Sequence, residues 1–261
     1  MNIAVALCPL AQHARGHAGW DGFIGLVFAL AGFIKGVIGM GLPTISMGLL
    51  AIVMPPVEAA ALLIVPSLLT NVWQMVDGPS LPAIVRRLWP MTVADCLGTW
   101  AGAGLMTGAS AKYGTALLGL ALIIYSVIGL TKVRFSISKE REPVLGPLSG
   151  GITGLITAAT GVFVIPAVPY LQAIGLEKED LVQALGLSFT VSTFALAFNV
   201  SKAGAFNLSI AGATIGALVM ALIGMWVGTA VRQRLQPAVF RRWFFIGLLL
   251  LGIYLAVRSL A

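Results

Sequence analysis

Charged residues are scarce in this sequence: they make up 10% of its 261 residues, whereas a soluble domain usually carries about a quarter. Hydrophobic residues make up 59% of the sequence. They form windows of about 20 residues with hardly a charge, such as residues 112–131. In a helix, about 20 apolar residues span a hydrocarbon core of roughly 30 Å. A buried core helix would explain one such window. Seven or eight of them predict an all-α polytopic membrane protein embedded in a lipid bilayer.

Cysteine, histidine and catalytic signatures are also sparse. The two cysteines, Cys8 and Cys96, cannot form a disulfide framework, and Cys96 is most simply a small packing residue. His13 and His17 have no third ligand nearby, so the sequence predicts no metal and no cofactor. It contains no HExxH, no GxSxG and no cluster of acidic and histidine residues, which disfavours an enzyme.

The basic residues give a net charge of +7 and lie mostly in short loops between the apolar windows. Such loops orient a membrane protein by retaining Lys and Arg on the cytoplasmic side, so the charge indicates topology and not nucleic-acid binding. With a cytoplasmic N-terminus and eight simple crossings, nine Lys and Arg fall on that side and six on the other, four of them within residues 232–242. A hidden extra crossing or a re-entrant segment at the long spans would invert the second half and explain this crowding.

Eight spans can be drawn along the chain. They cover residues 22–54, 57–77, 88–107, 112–131, 144–172, 179–200, 207–231 and 238–258. The first and the fifth are too long for a single crossing. A polar linker, residues 132–143, separates an N-terminal segment (1–21) and a first transmembrane repeat (22–131) from a second transmembrane repeat (144–261).

The two long spans match each other without a gap. Residues 31–47, AGFIKGVIGMGLPTISM, align with residues 149–165, SGGITGLITAATGVFVI, and Lys35 falls on Thr153. Residues 61–70 align with residues 184–193 after a small shift. We therefore predict an internal duplication in which the first helix of each repeat is broken at the same place.

Glycine and proline predict where these helices break. Gly39, Gly41 and Pro43 would stop the first one, because glycine weakens a helix and proline cannot donate its ladder hydrogen bond. In the second half, Thr157, Thr160 and Gly161 would act more mildly. Irregular backbone inside a membrane persists only where it is buried in protein or lines a cavity, so the breaks indicate a site. Transporters are often built from two repeats whose interrupted helices meet near the bilayer midplane.

Glycine pairs four residues apart have a simpler explanation, since such pairs usually let two helices approach closely. One pair, Gly32 and Gly36, precedes the first break. We assign the others to helix packing: Gly98 and Gly102, Gly212 and Gly216, Gly224 and Gly228.

Lys35 is the most informative single residue. It lies 14 residues beyond Asp21, roughly 20 Å along a helix, where a lysine costs several kcal/mol unless a carboxylate, an anion, water or deprotonation compensates it. Snorkelling towards the membrane surface is the alternative. A helix that resumes after Gly41 would present free N–H groups and its positive dipole end near Lys35. With Thr44, and Thr160 from the second half, these groups would form an anion cradle.

Other polar side chains lie within the predicted spans. Thr70, Asn71 and Gln74 would bind sulfonate-like oxygens or tie helices together, and Ser67, Ser188, Thr190 and Thr193 would line a pathway or bond their own backbone. Asp95 is a counter-ion to Lys35, a proton carrier or a neutral carboxyl group, and we take it as the coupling residue. The predicted substrate-binding residues are Lys35, Gly39, Gly41, Thr44, Thr70, Asn71, Gln74, Thr157, Thr160 and Thr193.

The two broken-helix sequences, GFIKGVIGMGLPTISMGLL and GGITGLITAATGVFVIPAV, resemble those of the TauE/SafE sulfite-exporter family, and the likeness runs from about residue 22 to residue 258. This resemblance implies a multi-pass permease of the bacterial inner membrane for sulfite, sulfonates or related small anions. Together with the residues, it predicts an anion exporter that works by alternating access. An anion channel-like pore and a non-transporting scaffold or assembly protein are the alternatives, and a homo-oligomer is compatible with the sequence.

Overall fold

A computed structural model describes residues 17–107, 111–131, 136–205, 211–232, 234 and 236–260 of the chain. Within these ranges the chain forms ten helices and no strand. They are α1 (His17–Ile38), α2 (Leu42–Leu50), α3 (Pro56–Val76), α4 (Leu81–Ala101), α5 (Ala111–Leu130), α6 (Glu142–Thr160), α7 (Ala167–Ala173), α8 (Lys178–Lys202), α9 (Ala211–Arg232) and α10 (Pro237–Leu260). Cys8, His13 and positions 132–135 of the predicted linker lie outside the described residues.

Six of the eight long helices contain a stretch that is long and apolar enough to cross a membrane: α1, α3, α5, α8, α9 and α10. The chain is therefore a multi-pass membrane protein. The other two long helices are more polar: α4 carries Arg86, Arg87 and Asp95, and α6 is rich in glycine, serine and threonine. The predicted count of eight membrane spans thus has support for six.

Two helix starts differ from the predicted spans by five residues or more. α4 begins at Leu81, whereas the third span was placed at residue 88, after Arg86 and Arg87. The predicted span follows the apolar window and so excludes these two charges. The helix nevertheless begins at Leu81, because Pro82 is favoured in a first turn, where its missing N–H is not needed. α1 begins at His17, inside the predicted N-terminal segment 1–21.

Both helix breaks lie where the sequence predicts them. After α1, Gly39 and Gly41 have positive φ angles of 78° and 111°, and α2 resumes at Leu42 with Pro43 in its first turn. A side chain at Gly41 would be strained, and its Cβ would lie 2.8 Å from Ile34. After α6, Gly161 (φ 72°) donates its N–H to the Thr157 carbonyl at 2.8 Å and ends the helix. Thr157 itself lies within α6, so its predicted part in the break is wrong.

The first short helix, α2, returns the chain towards the face from which α1 started. Gln74, near the end of α3, bonds the Gly39 carbonyl at the end of α1, so α1 and α3 end at the same face. After α2, the Ile52 carbonyl accepts from Arg258 near the end of α10, and Pro56 lies beside Gly114 near the start of α5. We call the face where α1 starts the first face and the face where it ends the second face.

The second short helix, α7, makes the opposite return. α6 starts at the second face, where Glu142 forms an ion pair with Arg87 of α4 at 2.6 Å. α6 ends near the first face, where Ala158 lies beside Gly102 at the end of α4. α7 brings the chain back, because the Ala173 carbonyl accepts from the Ile137 N–H just before α6.

These two returns orient the long helices. α1, α3, α5 and α9 run from the first face to the second, and α4, α6, α8 and α10 run in the opposite direction. Of the twelve described Lys and Arg residues other than the buried Lys35, nine lie near the second face and three near the first. The nine are Arg86, Arg87, Lys139, Arg141, Lys178, Arg232, Arg234, Arg241 and Arg242, and the three are Lys112, Lys202 and Arg258. Eight simple crossings would divide these same twelve residues six to six, so the path behind the nine-to-six division of the full sequence is wrong, because each short helix adds a return.

The long helices pack in four main pairs: α1 with α9, α4 with α6, α3 with α8, and α5 with α10. In the first pair, a Cβ at Gly32 would overlap the Ala221 carbonyl, and one at Gly36 would overlap the Met225 carbonyl. In the second pair, the corresponding glycines lie 118 positions later in the chain. A Cβ at Gly150 would overlap the Met91 carbonyl, and a Cβ at Gly154 would overlap the Asp95 carbonyl. Glycine thus brings the backbones into contact in both pairs.

The predicted packing role holds for most of the glycine pairs. Gly98 faces Gly151 of α6, Gly224 and Gly228 face Ala29 and Phe33 of α1, and a Cβ at Gly102 would lie 2.6 Å from that of Ala158. The prediction is wrong for Gly212 and Gly216, which have no described atom within 4 Å of an added Cβ. Spacing alone does not say which face of a helix meets another helix.

Candidate functional site

Lys35 is buried near the end of α1, with 4% of its surface exposed. Its Nζ donates to Thr70 Oγ1 at 3.1 Å and to Asn71 Oδ1, both on α3. The side chain therefore ends inside the protein and does not snorkel to the surface. No described carboxylate pairs with it, so the predicted pairing of Lys35 with Asp95 is absent among the described residues.

Asn71 links Lys35 to α8. Its Nδ2 donates to Ser67 Oγ at 3.0 Å and lies 3.5 Å from Thr193 Oγ1, while the Ser67 and Thr193 hydroxyls are 3.3 Å apart. Ser67, Thr70, Asn71 and Gln74 fall on one face of α3 because they are spaced by three or four residues. We call Lys35, Ser67, Thr70, Asn71 and Thr193 the Lys35 cluster. It contains four of the predicted site residues, and Ser67 joins them from outside the predicted set.

Gln74 holds the first helix break against α8. Its Nε2 donates to the Gly39 carbonyl at 3.2 Å and to the Val182 carbonyl at 2.9 Å. Both of its N–H donors are therefore used by backbone oxygens. Gln74 and Gly39 lie on the second-face side of the Lys35 cluster, and no described side-chain hydrogen bond joins them to it.

The other predicted site residues bond their own backbone. Thr44 Oγ1 donates to the Gly41 carbonyl at 3.0 Å, Thr157 Oγ1 to the Thr153 carbonyl at 2.8 Å, and Thr160 Oγ1 to the Ile156 carbonyl at 2.7 Å. No described hydrogen bond connects them to the Lys35 cluster. Thr153, which aligns with Lys35, accepts from the N–H of Ala167 at 3.1 Å and so caps the start of α7.

Asp95 lies in a separate buried position on α4, with 2% of its surface exposed. Its Oδ2 accepts from the hydroxyl of Ser192 on α8. Ser192 was not among the predicted residues, because hydroxyls in membrane helices usually bond their own backbone, as Ser192 also does to the Ser188 carbonyl at 3.0 Å. The only available signal was the spacing of Ser188 and Ser192, which puts both on one face of α8.

Ser192 and Thr193 therefore connect α8 to two different sets of buried polar groups. The Thr193 hydroxyl belongs to the Lys35 cluster, and the Ser192 hydroxyl bonds Asp95. The first set holds a cation and the second a carboxyl group, with α8 between them.

Comparison with known proteins supplies the family. The family model described as sulfite exporter TauE/SafE matches residues 24–255, nearly the whole chain. The chain belongs to the TauE/SafE sulfite exporter family. This is a family of transporters. The matched residues include both helix breaks, the Lys35 cluster and Asp95. Neither the search of curated proteins nor that of solved structures gives a match.

Proposed function

We propose that this chain is a permease that moves a small anion of the sulfite or sulfonate class across the bacterial inner membrane, with Lys35 as the binding charge. The observation that carries the proposal is the setting of Lys35. It is buried, bonded to two neutral oxygens, and unpaired with any described carboxylate. A charge at this depth costs several kcal/mol. A bound anion would supply the compensating charge.

The Lys35 cluster offers the donors that a small oxyanion needs. An ammonium has three N–H donors, and the hydroxyls of Ser67, Thr70 and Thr193 rotate to donate or accept. Hydrogen bonds between charged groups are roughly twice as strong as neutral ones, so Lys35 would dominate the affinity. Because the cluster draws on α1, α3 and α8, an anion bound there would touch both halves of the chain.

We further propose that the two halves are inverted repeats that rock against each other in alternating access. Two features support this. The contacts of Gly32 and Gly36 with α9 correspond to those of Gly150 and Gly154 with α4, and matching helices of the two halves run in opposite directions. Ser67 and Thr193 meet where α3 packs on α8. Rocking at this contact would open the Lys35 cluster to one face at a time.

We propose that the second face is cytoplasmic and that the anion is exported from that side. Nine described cations lie near that face and three near the other, which is the bias expected of a cytoplasmic side. An inside-negative potential favours the exit of an anion by about 2.3 kcal/mol per charge at 100 mV. Export of this kind needs no coupled cation. Where transport is coupled to a cation, we propose Asp95 as the coupling residue.

The test is sulfite and methanesulfonate flux in proteoliposomes, with wild type, Lys35→Ala, Lys35→Arg and Lys202→Ala. Lys202 is exposed at the end of α8 and controls for the loss of a lysine. We expect Lys35→Ala to lose at least about tenfold in flux, since a charged hydrogen bond is worth about 1.5–3 kcal/mol. Lys35→Arg should recover part of the flux, and Lys202→Ala should match wild type.

Three results would contradict the proposal. Wild-type flux in Lys35→Ala would remove Lys35 from the anion site. Conduction that does not saturate with anion concentration would favour a channel-like pore over alternating access. Absence of flux for every tested anion, with folded wild-type protein, would favour a scaffold or assembly protein.

A further inference from the structure

Three solvent-inaccessible oxygens between α4 and α8 have no hydrogen-bond partner among the described residues: Asp95 Oδ1, Thr99 Oγ1 and Asn199 Oδ1. Asp95 and Thr99 are 2% and 0% exposed. Buried polar atoms in native proteins are nearly always satisfied, so each exception needs a cause, and an ion is one of the common causes.

Two contacts join the residues that carry these three oxygens. Thr99 lies one turn beyond Asp95 on α4, and its hydroxyl is beside the same carboxyl group, although no hydrogen bond of regular geometry joins the two. Asn199 Nδ2 donates to the Thr99 carbonyl at 2.7 Å, which anchors the amide of α8 next to Thr99. Ser192, two turns earlier on α8, holds the other carboxylate oxygen of Asp95.

We propose that Asp95, Thr99 and Asn199 bind a sodium ion between α4 and α8, and that Ser192 positions the carboxylate. Carboxylate, hydroxyl and amide oxygens are the ligands that hard cations prefer. One carboxylate balances one positive charge, which suits a monovalent ion. The described residues contain no group of three His, Cys, Asp or Glu side chains, the donor set that a transition metal would take. Water would fill the remaining coordination positions.

A proton on Asp95 accounts for less of the geometry. A proton on Oδ1 would neutralise the carboxylate and could be donated to the neighbouring Thr99 hydroxyl, but Asn199 Oδ1 would still lack a partner. A basic side chain does not compensate the Asp95 carboxylate either, because the described ion pairs do not include Asp95. A sodium ion would engage all three oxygens at once.

The site would act on anion binding through α8, an inference that rests on the proposed function. Ser192 contacts the sodium site and the next residue, Thr193, contacts the Lys35 cluster. Sodium binding that fixes α8 would raise the affinity for the anion, and by reciprocity the anion would raise the affinity for sodium. A cation and an anion in neighbouring sites also compensate each other's charge inside the membrane.

The experiment measures thermal unfolding of the full-length protein in detergent, without any anion substrate, as NaCl replaces choline chloride at constant ionic strength. A ligand that binds only the folded state raises Tm with concentration. We expect a sodium-dependent rise in wild type and in Thr99→Ser, and none in Asp95→Asn or Thr99→Val. Ser192→Ala should weaken the apparent sodium affinity by about 10–100-fold, as loss of a supporting contact does. Ser46→Ala is the control, since Ser46 on α2 is also buried and unpartnered.

Each outcome bears on the sodium site alone, because no anion is present. No sodium-dependent rise in wild type would overturn it, as would an equal rise in Asp95→Asn or Thr99→Val. Equal effects of KCl and NaCl would overturn the choice of sodium. A positive result combined with sulfite flux that ignores Lys35→Ala would keep the sodium site and reject the proposed anion site.

Discussion

Ser192 and Thr193 are consecutive residues of α8, yet their hydroxyls contact different helices: Ser192 bonds Asp95 of α4, and Thr193 lies 3.3 Å from Ser67 of α3. Neighbouring positions on a helix point about 100° apart, so a single helix can face two partners at one level. α8 therefore touches both the buried carboxyl group and the cluster around the buried lysine. A shift of α8 would change the two together, which links the two proposed binding sites.

The charge of the Lys35 cluster is the subject of the first prediction. Asn71→Asp places a carboxylate where Asn71 Oδ1 now accepts from Lys35. The two side chains would form an ion pair, the cluster would lose its net positive charge, and anion binding would meet like-charge repulsion worth several kcal/mol. We expect sulfite flux in proteoliposomes to fall by about 100-fold or more, with thermal stability kept near that of wild type.

Asn71→Gln is the matched control, because it keeps the neutral amide and changes only its reach. It should lose less flux than Asn71→Asp. Equal flux in Asn71→Asp and wild type would show that the anion does not depend on the positive charge of this cluster.

The glycine contacts between helices give the second prediction. An alanine Cβ at Gly150 would overlap the Met91 carbonyl of α4, so α4 and α6 would have to separate. Overpacking of this kind costs typically 1–3 kcal/mol. Gly150→Ala should therefore lower the unfolding temperature in detergent, whereas Gly216→Ala should not, because nothing described lies within 4 Å of its added Cβ. Equal unfolding temperatures for the two variants would be inconsistent with the close packing of α4 on α6.

The third prediction concerns orientation. If the second face is cytoplasmic, Lys139→Cys should resist a membrane-impermeant maleimide in intact cells, and Lys202→Cys should react with it. Both side chains are exposed, so accessibility within the protein is matched. The expected difference follows from the nine described cations near the second face. The opposite labelling pattern would reverse the membrane orientation, and with it the proposed direction of export.

The sequence by itself was sufficient for the membrane class and the positions of both helix breaks, and it singled out Lys35, which the structure buries. These features depend on local chemistry: apolar length, glycine at positive φ, and a charge inside an apolar run. The burial of Thr70, Asn71 and Thr193 was also predictable, because polar side chains are rare in membrane helices and tend to face protein. Thr44, Thr157 and Thr160 share this polarity, but the structure has them bonding their own backbone.

The tertiary structure alone decided the partners and the directions. Asp95 pairs with Ser192, 97 positions away, and no local pattern distinguishes Ser192 from a hydroxyl that only bonds its own helix. Likewise, α2 and α7 continue the apolar run of the helix before them, so the sequence shows one long span where the chain reverses. Apolarity fixes how much chain is in the membrane. The direction in which it runs depends on contacts such as Gln74 with Gly39 and Ile137 with Ala173, which join residues far apart in the chain.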